Sequence, residues 1–183
     1  VAGALMPDAH SGYGLPIGGV LATDNAVLPY GVGVDIGCRM SLSIFDLPAS
    51  FIKGKDHQLQ AILKEHTKFG MNETHAIKAD HEIFARSEFQ DIHLLKSLLP
   101  KAYKQLGTSG GGNHFVEFGI VQLDTPLPEW KLEAGSYFCV LSHSGSRGMG
   151  ANVAKHYTYL ATKQCPLPKN VQHLAWLDLN THD

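Results

Sequence analysis

Gly31-Val-Gly-Val-Asp35-Ile-Gly-Cys38-Arg39-Met40-Ser-Leu-Ser-Ile44 joins a glycine-punctuated turn to an alternating run. Met40, Leu42 and Ile44 alternate with Ser41 and Ser43, the period-two pattern of a half-buried strand. The turn before it carries a carboxylate and a thiol three positions apart, Asp35 and Cys38, so both side chains can aim at one point. Both are anionic metal ligands once the thiol is deprotonated, and a nearby cation favours that deprotonation. Read alone, the pair is more simply a turn aspartate and a small buried cysteine, because free cysteine is commonly buried.

Upstream, Ile17 to Ala22 is an apolar run between Pro16 and the Thr23-Asp24-Asn25 turn signal, which predicts a short strand. Before it, Asp8 and His10 are spaced for one face of an extended segment. They could ligate a metal or orient a ligand from behind, or simply belong to a polar glycine loop. Downstream, residues 55–106 switch to helical period. The clearest helix is 91–106, with Ile92, Leu95, Leu98, Leu99, Ala102 and Leu106 on one stripe, Asp91 as N-cap and Gly107 just past its end. Pro100 inside it predicts a kink or a split.

Gly107-Thr-Ser-Gly-Gly-Gly-Asn113-His114 then forms a glycine-dense loop feeding a strand over Phe115–Leu123. Glycine lets backbone N–H groups approach an anion closely. No Lys-Ser/Thr follows, so this is not a Walker A loop. In an extended segment Asn113 and Glu117 face away from His114, Val116 and Phe118. Tyr137 to Ser142 reads as a buried strand, ending at His143, and residues 150–164 read as a helix. Between them, Arg147 sits in the small-residue loop Ser144-Gly-Ser-Arg-Gly148, where its planar fork of donors suits an oxyanion. A glycine turn with a hydrogen-bonded histidine, and a surface turn with a solvated arginine, account for these two segments equally well one at a time. Strands and helices mix without strict βαβ alternation, which predicts an α+β fold.

Bulk properties exclude several classes. The 183 residues suffice for one domain with a core, and 44% hydrophobic with 17% charged is not a disordered composition. A net charge of −2 gives no bulk nucleic-acid signal, so a nucleic-acid ligand would need a local basic patch. Cys38, Cys139 and Cys165 are few, odd in number and widely spaced, which predicts a reducing, cytoplasmic setting rather than a disulfide framework. No apolar run reaches the roughly 18 residues of a membrane span. The chain begins at Val1 and ends inside a Leu-Asp-Leu-Asn-Thr-His-Asp run, which reads as a piece of a longer protein.

Taken together, Asp35, Cys38, His114 and His143 offer O, S, N and N donors beside glycine, enough for one transition metal or for two if the thiolate bridges. By ligand softness alone, thiolate with imidazole points to Zn²⁺. Histidines 57, 66, 75, 81, 93, 156 and 173 lie in polar stretches without glycine loops and read as surface or satisfied side chains; His182 is too near the chain end to assign.

Four segments in order resemble the RtcB family of RNA ligases: Pro7-Asp8-Ala9-His10-x-Gly-x-Gly-x-Pro16-Ile17-Gly18, Gly33-Val-Asp35-Ile-Gly-Cys38, Gly112-Asn113-His114-Phe115, and His143-Ser-Gly-Ser-Arg147-Gly148. The similarity spans about residues 4–154, with a weaker echo at 176–183. The resemblance implies a GTP-dependent enzyme with a pair of Mn²⁺ ions that joins RNA 3′-phosphate or 2′,3′-cyclic phosphate ends to 5′-hydroxyl ends. A histidine would carry a covalent guanylate. By position, Asp35 would bind one metal, Cys38 bridge both, and His114 and His143 bind the other; Zn²⁺ could still occupy such a site in a crystal. Asn113 would contact the guanylate phosphate and Arg147 an RNA or nucleotide phosphate, with Glu117 as a further nucleotide contact and Asp8 and His10 behind the ligands.

Arg39 stands where the family commonly has glycine, which suggests a divergent subgroup working on RNA repair and places a permanent cation near the metals. The resemblance also puts the guanylate-carrying histidine downstream of residue 183. It implies layered strands around the metal site with helices outside, in a single domain of which residues 1–183 lack the C-terminal half. Apolar surface exposed in that way would favour self-association. On this reading the chain alone forms no guanylate and joins no RNA. The other readings are a metal-dependent phosphoester or amide hydrolase, which would need no GTP, and a truncated product that only binds metal.

Overall fold

The computed structural model describes residues 2–77 and 79–181; His182, left unassigned above, and the last residue of the 176–183 echo lie outside them. In chain order the elements are β1 (Ala2–His10), β2 (Ile17–Ala22), β3 (Ala26–Val27), α1 (Pro29–Val32), β4 (Arg39–Pro48), α2 (Asp56–His66), α3 (Glu88–Asp91), α4 (His93–Gln105), β5 (Phe115–Leu123), β6 (Gly135–Ser144), α5 (Arg147–Gln164) and β7 (Leu177–Asp178). The sheets are all antiparallel, so the fold is α+β. Two compact units emerge: Val1–Gly37 with Ala85–Leu99 and Gly148–Asp183, and Cys38–Phe84 with Pro100–Arg147.

In the first unit β1 pairs with β2 in register from Ala2↔Ala22 to Leu5↔Gly19, and the register slips before His10↔Ile17. β3 pairs with β7. The core forms where α5 lays Ala161 on Ala175 and Leu177, with Val27, Tyr157, Leu160 and Cys165 packed around them. Gly150, Ala154 and Ala161 are the buried residues of α5. They share one face of the helix, and their small size allows close approach.

The second unit is built on a three-stranded sheet in the order β4-β6-β5. Phe138 on the central strand is 4% exposed. Its ring meets Phe51 at 5.0 Å, Phe118 at 5.3 Å and Phe45 at 5.5 Å between centroids. Phe138→Ala should therefore lower unfolding free energy by about 3–5 kcal/mol, since three ring contacts are lost and a cavity remains. Urea titration followed by far-ultraviolet circular dichroism checks this; a loss under about 1 kcal/mol would show that the cluster is not the core of this unit.

Three local expectations change. Met40 and Leu42 lie on one face of β4 as the alternation requires, yet they are 54% and 48% exposed. β4 is an edge strand, and Met40 and Leu42 pair with His143 and Leu141, on the face opposite Phe138, which Phe51 covers. Leu95, Leu98, Leu99 and Ala102 share the less exposed face of α4, with Ala102 buried, but the helix begins at His93 and not at Asp91, so Ile92 lies outside it and is 40% exposed. Asp91 instead closes α3, because Ile92 after it is extended (φ −93°, ψ 110°). Pro100 lies within α4, and the helix runs on to Gln105. The Ser144–Gly148 loop shrinks to Gly145 and Ser146, because β6 runs on to Ser144 and α5 starts at Arg147.

Candidate metal centre

The sheet register of the second unit brings its ligand-type side chains together. His143, next to last in β6, pairs with Met40 of β4 on one side and with Phe115 of β5 on the other. Cys38 precedes Arg39, the first residue of β4, and His114 directly precedes β5, so both flank the end of the central strand. Gly37 before Cys38 has φ +91°, a conformation that favours glycine. Cys38 Sγ lies 2.7 Å from His143 Nε2 and 3.8 Å from His114 Nε2. The two imidazoles stand edge to face, 5.5 Å apart at 72°.

The tautomer of His143 follows from its other nitrogen. Nδ1 lies 3.1 Å from the backbone oxygen of Asn113. A carbonyl only accepts, so Nδ1 carries the proton and the Nε2 lone pair faces Cys38. Without a metal, the Cys38 thiol is the donor of the Sγ···Nε2 pair. This is how ligating histidines are commonly oriented: one nitrogen tied to a backbone carbonyl, the other turned to the metal. Phe115 fixes the ring further, with its own ring edge to face at 5.6 Å. A thiol and two imidazole nitrogens at these distances, all three side chains half-buried, form a donor set that fits a transition metal.

Further contacts hold these side chains in place. The backbone of Ser109 donates to Lys68 O at 2.8 Å and that of Gly70 to Gly110 O at 2.6 Å, so the glycine-dense loop is sewn to residues 68–70. Ser144 Oγ donates to Ser109 O at 2.8 Å. Arg147, itself at φ +54°, donates from Nε to Thr108 Oγ1 and from Nη2 to Gly70 O, both at 2.8 Å. Gly110 sits where a Cβ would meet Arg147 Nη1 and His114 Nδ1, each at 2.5 Å. The guanidinium and the imidazole thus both rest on this glycine.

Glu117 is exposed on β5, where it pairs with Leu141, and lines an open pocket together with Asp56 and His57 of α2. Arg39 is exposed and pairs with Ser144. Asp8, His10 and Asp35 belong to the first unit. His10 Nδ1 donates to the backbone oxygen of Asp8 at 2.9 Å, which occupies one ring nitrogen. Thr108 and Gly70 were not singled out from the sequence, and Gly110 stood out only as part of the glycine-dense loop. Thr108 carried one usable signal: a threonine three residues past the end of a helix often turns its hydroxyl back onto a helix carbonyl.

Cys139 is a different kind of thiol. It is 4% exposed, and burial pushes its pKa up. The folded state therefore favours the neutral thiol, and the stabilisation this gives is present below the ordinary thiol value of 9.0 and is lost as pH rises through the higher folded value. Iodoacetamide at neutral pH should leave Cys139 unmodified in the native chain and label it in urea, as peptide mass mapping would show. Equal native labelling of Cys38 and Cys139 would contradict the assignment.

Fold and side chains together define a class: an α+β protein whose strand ends gather thiol and imidazole donors. A family model described as tRNA-splicing ligase RtcB matches residues 2–183. The chain is 33% identical over 175 residues to the RNA-splicing ligase RtcB of Escherichia coli K12, covering 88% of this chain and 40% of that protein. It is 31% identical over 201 residues to RNA-splicing ligase RtcB homolog 1 of Entamoeba dispar (89% and 37%). It is 28% identical over 195 residues to the tRNA-splicing ligase RtcB of Pyrobaculum aerophilum (87% and 40%). The chain belongs to the RtcB family. It spans about two-fifths of the length of these relatives. Among the described residues no helix is long and apolar enough to cross a membrane.

Proposed function

We propose that this chain is the metal-binding part of an RNA ligase that joins 3′-phosphate or 2′,3′-cyclic phosphate ends to 5′-hydroxyl ends, using GTP and Mn²⁺. The observation that carries the reading is the meeting of Cys38, His114 and His143 at the ends of three adjacent strands, in a chain whose relatives are named RNA-splicing and tRNA-splicing ligases. His114 and His143 would hold one ion, Asp35 another, and the Cys38 thiolate would bridge them. Asp35 is only three residues from Cys38, so the chain cannot carry their Cα atoms more than about 11 Å apart. When bound, the ions would polarise phosphoryl oxygens and stabilise the charge developing during transfer.

The chain's own residues would do the rest. Asn113 positions His143 through its carbonyl and offers its side-chain amide to the guanylate phosphate. Arg147, fixed beside His114, offers cationic N–H groups to an RNA or nucleotide phosphate. Glu117, exposed on β5 two residues from Phe115, would be a further nucleotide contact. On this reading the residues named here bind and orient phosphate, and another histidine would carry the guanylate.

RNA ends provide the test. In the presence of Mn²⁺, an oligonucleotide ending in a 3′-phosphate should bind at least about tenfold tighter than the same oligonucleotide ending in a 3′-hydroxyl, since a charge-assisted contact is lost. Fluorescence anisotropy on the 183-residue chain measures both. Equal affinities would sink the reading.

A further inference from the structure

We propose that Thr108 is a positioning residue that fixes the Arg147 guanidinium beside His114, a proposal that rests on the phosphate-binding reading of Arg147 given above. Thr108 is 4% exposed, a polar side chain in the interior of its unit. Its hydroxyl donates to Gln105 O at 2.6 Å, at the C-terminal end of α4. Its only proton is thereby committed, and the oxygen lone pairs remain to accept. Arg147 Nε–H fills that role at 2.8 Å, and Nη2 donates to Gly70 O at the same distance.

Two donors on different nitrogens of one planar fork fix the plane of the guanidinium, which a single contact would not. With Nε and Nη2 held, Nη1 is the nitrogen that lies over Gly110, against which His114 Nδ1 also packs. The end of α4 thus sets, through one hydroxyl, where a permanent cation stands relative to a metal-ligand histidine. Arg147 needs the help. It sits at φ +54°, in the left-handed region, so its backbone alone costs free energy that the side-chain contacts offset.

The experiment compares Thr108→Val, which keeps the shape and loses the hydroxyl, with Thr108→Ser, which keeps the hydroxyl. Nitrogen-15 NMR of the 183-residue chain should show a slowly exchanging Arg147 Nε–H in wild type and Thr108→Ser, and a fast one in Thr108→Val. In the Mn²⁺-loaded chain, GMP should bind about tenfold more weakly to Thr108→Val, with affinity restored in Thr108→Ser. Mn²⁺ affinity itself should be unchanged in both.

Thr108→Val combined with Arg147→Gln should lose no more GMP affinity than Arg147→Gln alone, because one residue acts through the other. Additive losses, or equal Nε–H exchange in all three chains, would overturn the proposal. A protected Nε–H in a wild-type chain that binds Mn²⁺ but not GMP upholds the positioning and removes the phosphate reading instead. Should Thr108→Val not fold, Arg147→Lys asks the same question. It keeps the charge but lacks the fork, and unchanged GMP affinity in it would overturn the proposal.

Discussion

Cys38→Ala should weaken Mn²⁺ binding by this chain at least about 100-fold, which is the upper end of what loss of a group merely supporting a ligand costs. The expectation follows from position. Cys38 Sγ is the atom within 4 Å of both histidine Nε2 atoms, at 2.7 and 3.8 Å, so its removal separates the donor set into two imidazoles. It is also the donor proposed to bridge two ions, so its loss weakens both. The side chain is small and half-buried, so alanine leaves little cavity, and the thermal midpoint of the metal-free chain should shift by no more than a few degrees. That separates loss of metal from loss of fold. Cys139→Ala, on the same strand as His143 but packed against Gly119, is the matched control and should bind Mn²⁺ normally. Titration followed by the electron paramagnetic resonance signal of free Mn²⁺ gives all three affinities. Wild-type affinity in Cys38→Ala would remove this cysteine from the site.

How much of this was legible in the sequence depends on how local each feature is. β2 over Ile17–Ala22 and β5 over Phe115–Leu123 coincide with the strands read from the sequence, because turn residues bound the apolar runs at their starts. Cys38, His114 and His143 stood out because each lies within two residues of a glycine at a strand end. Their meeting depends on the register that seats His143 between Met40 and Phe115, and pairing across 76 and 105 residues has no local trace. The exposure of Met40 and Leu42 was illegible for a related reason: alternation identifies a shared face but not which face is covered. The Arg147 clamp was hidden more deeply. Its partner Gly70 lies 77 residues away and contributes a backbone carbonyl, to which side-chain identity is blind. The left-handed turn at Arg147 falls on a residue type that gives no hint of it.

Gly110→Ala should damage both the fold and the proposed metal site, although it adds one methyl group. Gly110 has φ +101°, beyond the left-handed well that a non-glycine residue tolerates, so any side chain there carries strain of about 1–3 kcal/mol. The added Cβ would also lie 2.5 Å from Arg147 Nη1 and from His114 Nδ1. Neither atom can yield cheaply. Arg147 is tied to Thr108 and Gly70, and moving it breaks two hydrogen bonds from a charged group. Moving His114 shifts Nε2 relative to Cys38 and His143. The backbone is constrained as well, since Gly110 O accepts from Gly70 N at 2.6 Å. The expected outcome is a loss of stability of about 2–4 kcal/mol, combining the backbone strain with the displaced contacts. Mn²⁺ affinity should fall about 10–100-fold, the range seen when groups behind a ligand are disturbed. Gly111→Ala is the control: its Cβ would come no closer than 3.8 Å to a neighbouring side chain, so both quantities should stay near wild type. Urea titration and Mn²⁺ titration on the two variants decide it. If Gly110→Ala binds Mn²⁺ as tightly as Gly111→Ala, His114 is not held by this glycine, and the packing of guanidinium and imidazole around Gly110 has no part in forming the metal site.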